Sequence, residues 1–230
     1  MTEPRGQANL GRVCRLFPLP NVVLFPHAVL PLHIFEPRYR QLTEDALTEG
    51  DRLITMVQTH EAAPEQAPGV PALETIGCQG RIFQHHRLSD GRYNILLVGL
   101  NRVRLTRELS SNKLYRLAEA EIIPDQVGSE NETDPRRNEL QDRLRKVVAR
   151  IHHDNEELRA LVDTSLPLGP LTDLIAFSLG FPAELKQGLL DEPRAEHRAD
   201  VLFNLLGQLL ETVPEIGQDR PPFPPRFSLN

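Results

Sequence analysis

The chain has 230 residues, with 40% hydrophobic and 25% charged residues, enough apolar material to bury a core without disulfides or a metal. This composition excludes a wholly disordered or collagen-like chain. Lys and Arg total 26 against 32 Asp and Glu, a net charge of −6, which argues against general attraction to nucleic acid or an anionic membrane.

In chain order, the first segment, MTEPRGQANLGR, has no apolar core of the kind a secretory signal needs. Short β-branched or Leu-rich runs punctuated by Pro and Gly follow, and each predicts a strand: Val13 to Leu19, Val29 to Phe35, Arg52 to Gln58, Ile76 to Leu88, Tyr93 to Gly99, Arg102 to Leu109 and Leu114 to Ile123. Asp90-Gly91 is a hairpin signal, because glycine accepts the positive φ that a type I′ turn demands. Short strands with such turns suggest a small barrel or pseudo-barrel. One helix interrupts them, with Pro37 at its first position, Leu42, Ala46 and Leu47 at helical spacing, and Gly50 as its stop. Residues 60–73 are rich in Ala and Pro without periodicity and read as a loop.

Near residue 125 the pattern changes. Residues 125–134 are polar and acidic and read as a linker. Beyond them Leu140, Leu144, Val147, Val148 and Ile151 form one helical stripe behind a Thr133/Asp134 cap and Pro135. Shorter helices fit Leu171 to Leu179 and Pro182 to Leu190, and a long stripe runs through Leu202, Leu205, Leu206, Leu209 and Leu210. Three or four such helices can bury their stripes on one another. The expectation is an α+β chain: a β domain over 1–124 with one inserted helix, a linker over 125–134, a helical bundle over 135–213 and a Pro-rich tail over 214–230.

The search for chemistry is largely negative. There is no Gly-Lys dipeptide and hence no phosphate-binding P-loop, and no G-x-G-x-x-G follows a strand. Ala176-Phe177-Ser178-Leu179-Gly180 is the closest approach to a nucleophile elbow, but its neighbours have helical spacing and Gly180 followed by Pro182 reads as a helix stop. Lys113, Lys146 and Lys186 have no evident Ser partner for a dyad. Cys14 and Cys78 lack metal-ligand spacing and read as buried thiols. Of the eight histidines, His85 and His86 are adjacent and point apart, and His152 and His153 could pair with Glu156 and Glu157 at helical i+4 spacing, against the simpler reading of surface or helix-end histidines. No cofactor and no metal are expected, and no apolar run reaches the ~18 residues that crossing a bilayer requires.

Charge is uneven. Between Gly80 and Arg116 eight bases stand against Asp90 and Glu108. Arg102 and Arg104 alternate with apolar residues, so one strand face carries both guanidinium groups. With Arg92 and Arg107 they form a candidate anion- or RNA-binding face, set against the simpler reading of a solvated sheet surface.

The segment from Phe17 to Leu42, FPLPNVVLFPHAVLPLHIFEPRYRQL, has two Pro-limited extended pieces feeding the early helix. It resembles the amino-terminal, substrate-binding domain of Lon-type ATP-dependent proteases, in a form without the ATPase and peptidase modules. The resemblance continues through Gly50-Asp51-Arg52, Ile76 to Ile82, Asp90-Gly91-Arg92-Tyr93, Tyr115-Arg116 and Lys186-Gln187, with His27 in place of an expected small residue. It implies a PUA-like β pseudo-barrel followed by a helical bundle, with no catalytic residue to carry over. It also implies a recognition module for unfolded or extended polypeptide segments, read as an adaptor to a protease or chaperone. The lack of a signal segment and of a disulfide framework leads to the expectation of a cytoplasmic protein. In Val29 to Phe35, alternation separates Leu30, Leu32 and Ile34 from His33 and Phe35. His33 and Phe35, with Phe25, Tyr39 and Phe83, are the candidate peptide-binding set. The alternatives are an RNA-binding module on the arginine face and a scaffold whose acidic helical half binds a partner.

Overall fold

The computed structural model describes residues 12–60, 71–126, 135–151 and 156–212. Seven strands come first: β1 (Arg12–Leu19), β2 (Val29–Ile34), β3 (Leu53–His60), β4 (Ala72–Leu73), β5 (Ile76–Arg87), β6 (Tyr93–Leu109) and β7 (Leu117–Ile123). One helix, α1 (Pro37–Thr48), lies among them, and five follow: α2 (Pro135–Ile151), α3 (Glu156–Val162), α4 (Leu168–Ser178), α5 (Ala183–Asp191) and α6 (Ala195–Thr212). The fold is α+β. Neighbouring strands run β1-β7-β6-β5-β3, and β3 returns to pair with β1, so the sheet closes on itself as a small barrel. Every pairing is antiparallel except the closing one, β1 with β3.

The strand β6 departs from expectation. The runs on either side of Gly99 were expected as two strands, and they are one strand of 17 residues. Gly99 does not end it, because a Cβ there would stand 2.0 Å from the carbonyl oxygen of Phe25, and only glycine lets those backbones meet. The length lets β6 serve two neighbours in turn, β2 along Tyr93–Val98 and β7 along Arg102–Leu109. The expected loop over 60–73 also holds a two-residue strand, β4, paired to Thr59 and His60. Helix α3 went unpredicted; its short sequence, EELRALV, is too brief for periodicity to separate from a loop.

Turn chemistry follows the residues. Gly91 has φ +80° in the β5–β6 hairpin, where the Leu88 amide donates to the Arg92 carbonyl at 2.8 Å. Pro37 opens α1, and the Arg38 guanidinium pairs with Glu36 at 2.8 Å beside that start. Arg15, on β1, is buried; it donates to both carboxylate oxygens of Asp51 at 3.0 Å and also pairs with Glu49, which ties the turn after α1 to the barrel. Cys14 and Cys78 are buried thiols not joined by a disulfide, and burial pushes the Cys78 thiol up, away from the reactive thiolate form.

Helices and barrel share one continuous apolar cluster, from Phe17, Leu24 and Ile82 to Leu144, Leu171 and Leu206. The predicted stripe of α2 faces inward: Leu140, Leu144 and Val147 are fully buried, each worth about 1.5–3 kcal/mol. The expected α2 cap, most of the linker and the Pro-rich tail lie outside the described residues, as do His152 and His153. Ser178 ends α4 in helical geometry, with the Leu179 amide donating to the Ile175 carbonyl, so the strand-to-turn frame of a nucleophile elbow is absent there.

Candidate functional site

Strands β2, the first half of β6 and β5 lie side by side with one face turned away from the core. On β2, Leu30 and Leu32 are half-buried and Ile34 fully buried, while Val29, Pro31 and His33 are exposed. Register places Val29 opposite Val98, Pro31 opposite Leu96 and His33 opposite Asn94. On the far side of β6, Gln84 of β5 stands opposite Leu96 and His86 opposite Asn94. Directly opposed residues share a face, so these side chains form one outward surface. Phe83 falls at the register shift between Ile82 and Gln84; the bulge leaves it 72% exposed. Phe35, just past the end of β2, is 60% exposed, and Val29 is 49%. A groove of about 470 Å³ runs across this face, lined by Pro31, Leu32, His33, Gln84, Asn94 and Leu96 among others.

Polar contacts hold the groove's edge. His33 Nε2 lies 3.2 Å from Arg92 Nη1 and its Nδ1 lies 2.6 Å from Asn94 Oδ1. Because a guanidinium can only donate, Nε2 stands as the acceptor of the Arg92 contact and Nδ1 faces the Asn94 amide oxygen. The His33 ring stacks near Phe35 with centroids 6.2 Å apart. Strand β2 pairs with β6 alone, so its other edge has no strand partner among the described residues. Pro31 removes one donor from its ladder.

The expected peptide-binding set is thus only partly assembled. His33, Phe35 and Phe83 lie exposed on or beside this face. Phe25 does not; it is fully buried in the apolar cluster. Tyr39 is also buried, stacked on Phe17 at 3.9 Å with its hydroxyl donating to the Pro18 carbonyl at 2.9 Å. Both aromatics secure the Pro-rich segments from inside. Val29, Pro31, Leu96 and Gln84 were missed. Val29 and Pro31 follow from the alternation that selected His33, whereas the unbroken apolar run Ile95 to Val98 hides which residues face outward.

The arginine face is corrected more sharply. Arg102 is 2% exposed, sealed between barrel and helices. It donates to Asp125 at 2.8 Å, to Asp173 at 3.1 Å and to the Leu190 carbonyl at 2.9 Å. Burial alone would lower its pKa, but Asp173 and Asp125 overcome that and raise it, so the guanidinium stays charged. Arg198 of α6 joins the same cluster, donating to Asp125 at 2.7 Å and Thr172 at 3.1 Å. Arg92, Arg104 and Arg107 are exposed, but Arg92 pairs with Asp90 and Arg107 with Glu119, each at 2.6 Å. Of the eight bases from Arg81 to Arg116, six pair with carboxylates, so the run is not an open cationic face. Among the described residues no three His, Cys, Asp or Glu side chains converge as a metal ion requires, and no helix is long and apolar enough to cross a membrane.

Residues 13–208 match the family described as the ATP-dependent protease La (LON) substrate-binding domain. The chain is 30% identical over 209 residues to Lon protease 2 of Myxococcus xanthus, covering 90% of this chain and 25% of that one. It is 28% identical to the Lon protease of Anaeromyxobacter dehalogenans, covering 90% and 24%. It therefore spans about a quarter of the length of the curated relatives it matches. Among solved structures it resembles a Lon N-terminal domain protein from Xanthomonas campestris (TM-score 0.59, 24% identity, 88% and 99% covered). The N-terminal domain of the Mycobacterium avium complex Lon protease is similar too (TM-score 0.63, 15% identity, 85% and 98% covered). The chain belongs to the Lon substrate-binding domain family.

Proposed function

We propose, with that membership as the premise, that the chain is a non-catalytic recognition module that binds exposed apolar or unfolded polypeptide segments on the outer β2–β6–β5 face. The observation that carries this reading is Val29, Phe35 and Phe83, three large apolar side chains exposed on or beside the strand face that also bears the groove. Exposed apolar groups gathered on one face mark an interaction surface more often than the same groups scattered singly. An extended segment laid along the groove would bury these side chains, and the unpaired edge of β2 offers main-chain groups beside them. The contribution is binding and presentation to a protease or chaperone in the cytoplasm, with no covalent step.

Fluorescence polarisation with unstructured apolar peptides at two salt concentrations tests it. Salt-tolerant binding that falls about tenfold in Phe35→Ser and Phe83→Ser, the loss of one well-buried anchor each, is the expected result. Unchanged affinity in both variants would remove the face. Binding of single-stranded RNA instead, steeply weakened by salt, would replace the reading with an RNA-binding one.

A further inference from the structure

We infer that the cleft between β3 and α5 is a second binding site, separate from the groove, that takes a cationic group of the guanidinium or ammonium type. The cleft has a volume of about 650 Å³ and is lined by Gln58, Glu74, Glu184, Gln187 and Asp191, with Pro20 at one side. Its lining contains three carboxylates and no Lys or Arg.

The two glutamines point to a ligand independently of that charge. Gln58 is 7% exposed and Gln187 is 5%. Gln58 Nε2 donates to the Pro20 carbonyl at 3.3 Å. Gln187 Nε2 donates to the Ile76 carbonyl at 2.9 Å and to Asp191 Oδ1 at 2.7 Å. Reversing either amide would set oxygen against oxygen, so these partners fix the orientation of both. Their carbonyl oxygens are then committed, and both are buried with no hydrogen-bond partner among the described residues. A buried acceptor without a donor is a cost that folded chains rarely leave uncompensated.

The unmet need in this cleft is therefore for donors and positive charge. A divalent metal does not fit, since no three acidic or histidine side chains converge among the described residues. A planar guanidinium, with five donors spread over a fork, fits acceptors that are dispersed rather than convergent. Burial, with Glu74 adding to it against the Gln187 amide, holds the Asp191 carboxyl above its ordinary range, and a bound cation would reverse that.

The source of the cation is either an arginine side chain of a polypeptide or a free small amine. Titrating the full chain with agmatine, and separately with a blocked glycine peptide carrying one arginine, separates them while the side-chain amide NMR signals of Gln58 and Gln187 are followed. Saturable binding with both signals moving is expected, weakened about tenfold by Asp191→Asn and by Glu74→Gln through loss of a charge-assisted bond. Asparagine still accepts from Gln187, so Asp191→Asn keeps the fold. Tighter binding of the peptide assigns a polypeptide ligand, and equal or tighter binding of agmatine a free one. No saturable binding of either probe, or equal affinity in both variants, overturns the site. These outcomes do not depend on the apolar groove.

Discussion

Two regions of this molecule handle exposed chemistry in opposite ways. At the seam between barrel and helices, Arg102, Arg198, Asp173 and Asp125 bring formal charges of equal number and opposite sign into a nearly sealed space, and every guanidinium finds carboxylate or carbonyl partners. On the outer β2–β6–β5 face, Val29, Phe35 and Phe83 stay exposed, although the same chain buries Phe17, Phe25 and Tyr39 almost completely. The contrast teaches that the uncovered apolar face is not for want of packing capacity. The fold satisfies its demanding groups at the seam and leaves this face open.

The sharpest way to break the comparison is at the seam. Removing the central carboxylate with Asp173→Ala leaves two buried guanidinium groups short of a partner and should cost about 3–5 kcal/mol in urea unfolding. The double variant Arg102→Met/Asp173→Leu leaves Arg198 balanced by Asp125, and it should regain at least half of that loss. If it does not, geometry rather than charge balance holds the seam. Next in size, Gly77→Ala would place a Cβ 2.5 Å from the Met56 carbonyl oxygen, a clash between backbones worth about 1–3 kcal/mol.

A smaller effect follows from pH. A hydrogen bond from Arg194 and that residue's charge lower the Glu192 carboxyl from 4.5 to about 2. A carboxyl depressed in the folded state stabilises fully above its unfolded value and loses that contribution as pH falls toward the folded one. Stability should therefore decline between about pH 4.5 and 2, with a shallower slope in Glu192→Gln on an acid titration followed by circular dichroism. The smallest effect is expected on the outer face. Phe35→Ser and Phe83→Ser should alter the unfolding free energy by no more than about 0.5 kcal/mol, because both side chains are largely exposed. A loss comparable to that at the seam would show that this face is core rather than binding surface.

Most elements were legible because their signals are local. Pro37 and Gly50 bracket α1, Asp90-Gly91 marks the hairpin, and the Leu140 stripe predicts α2. The candidate site was only half legible. Alternation on β2 separates the two faces, but it does not say that Phe25 turns inward, which depends on Gly99 admitting the backbone beside it. Arg102 and Arg104 read alike two positions apart. The difference between them is Asp173, on a helix distant in sequence, and no periodicity on β6 encodes a partner there. The two glutamines of the cleft were silent for the same reason, since an unpaired acceptor is a property of an assembled neighbourhood.

The closing pair of the barrel has a consequence for how the chain is made. Strand β1 lies between β3 and β7, so during synthesis it obtains its second neighbour only when residues 117–123 have appeared. Until then its edge stays open, and barrel closure must await a contact of long sequence separation. A nascent chain of this kind exposes an unpaired strand edge until β7 has emerged. On this topology, a domain whose relatives are Lon proteases exposes, until β7 emerges, the kind of extended segment it is proposed to recognise.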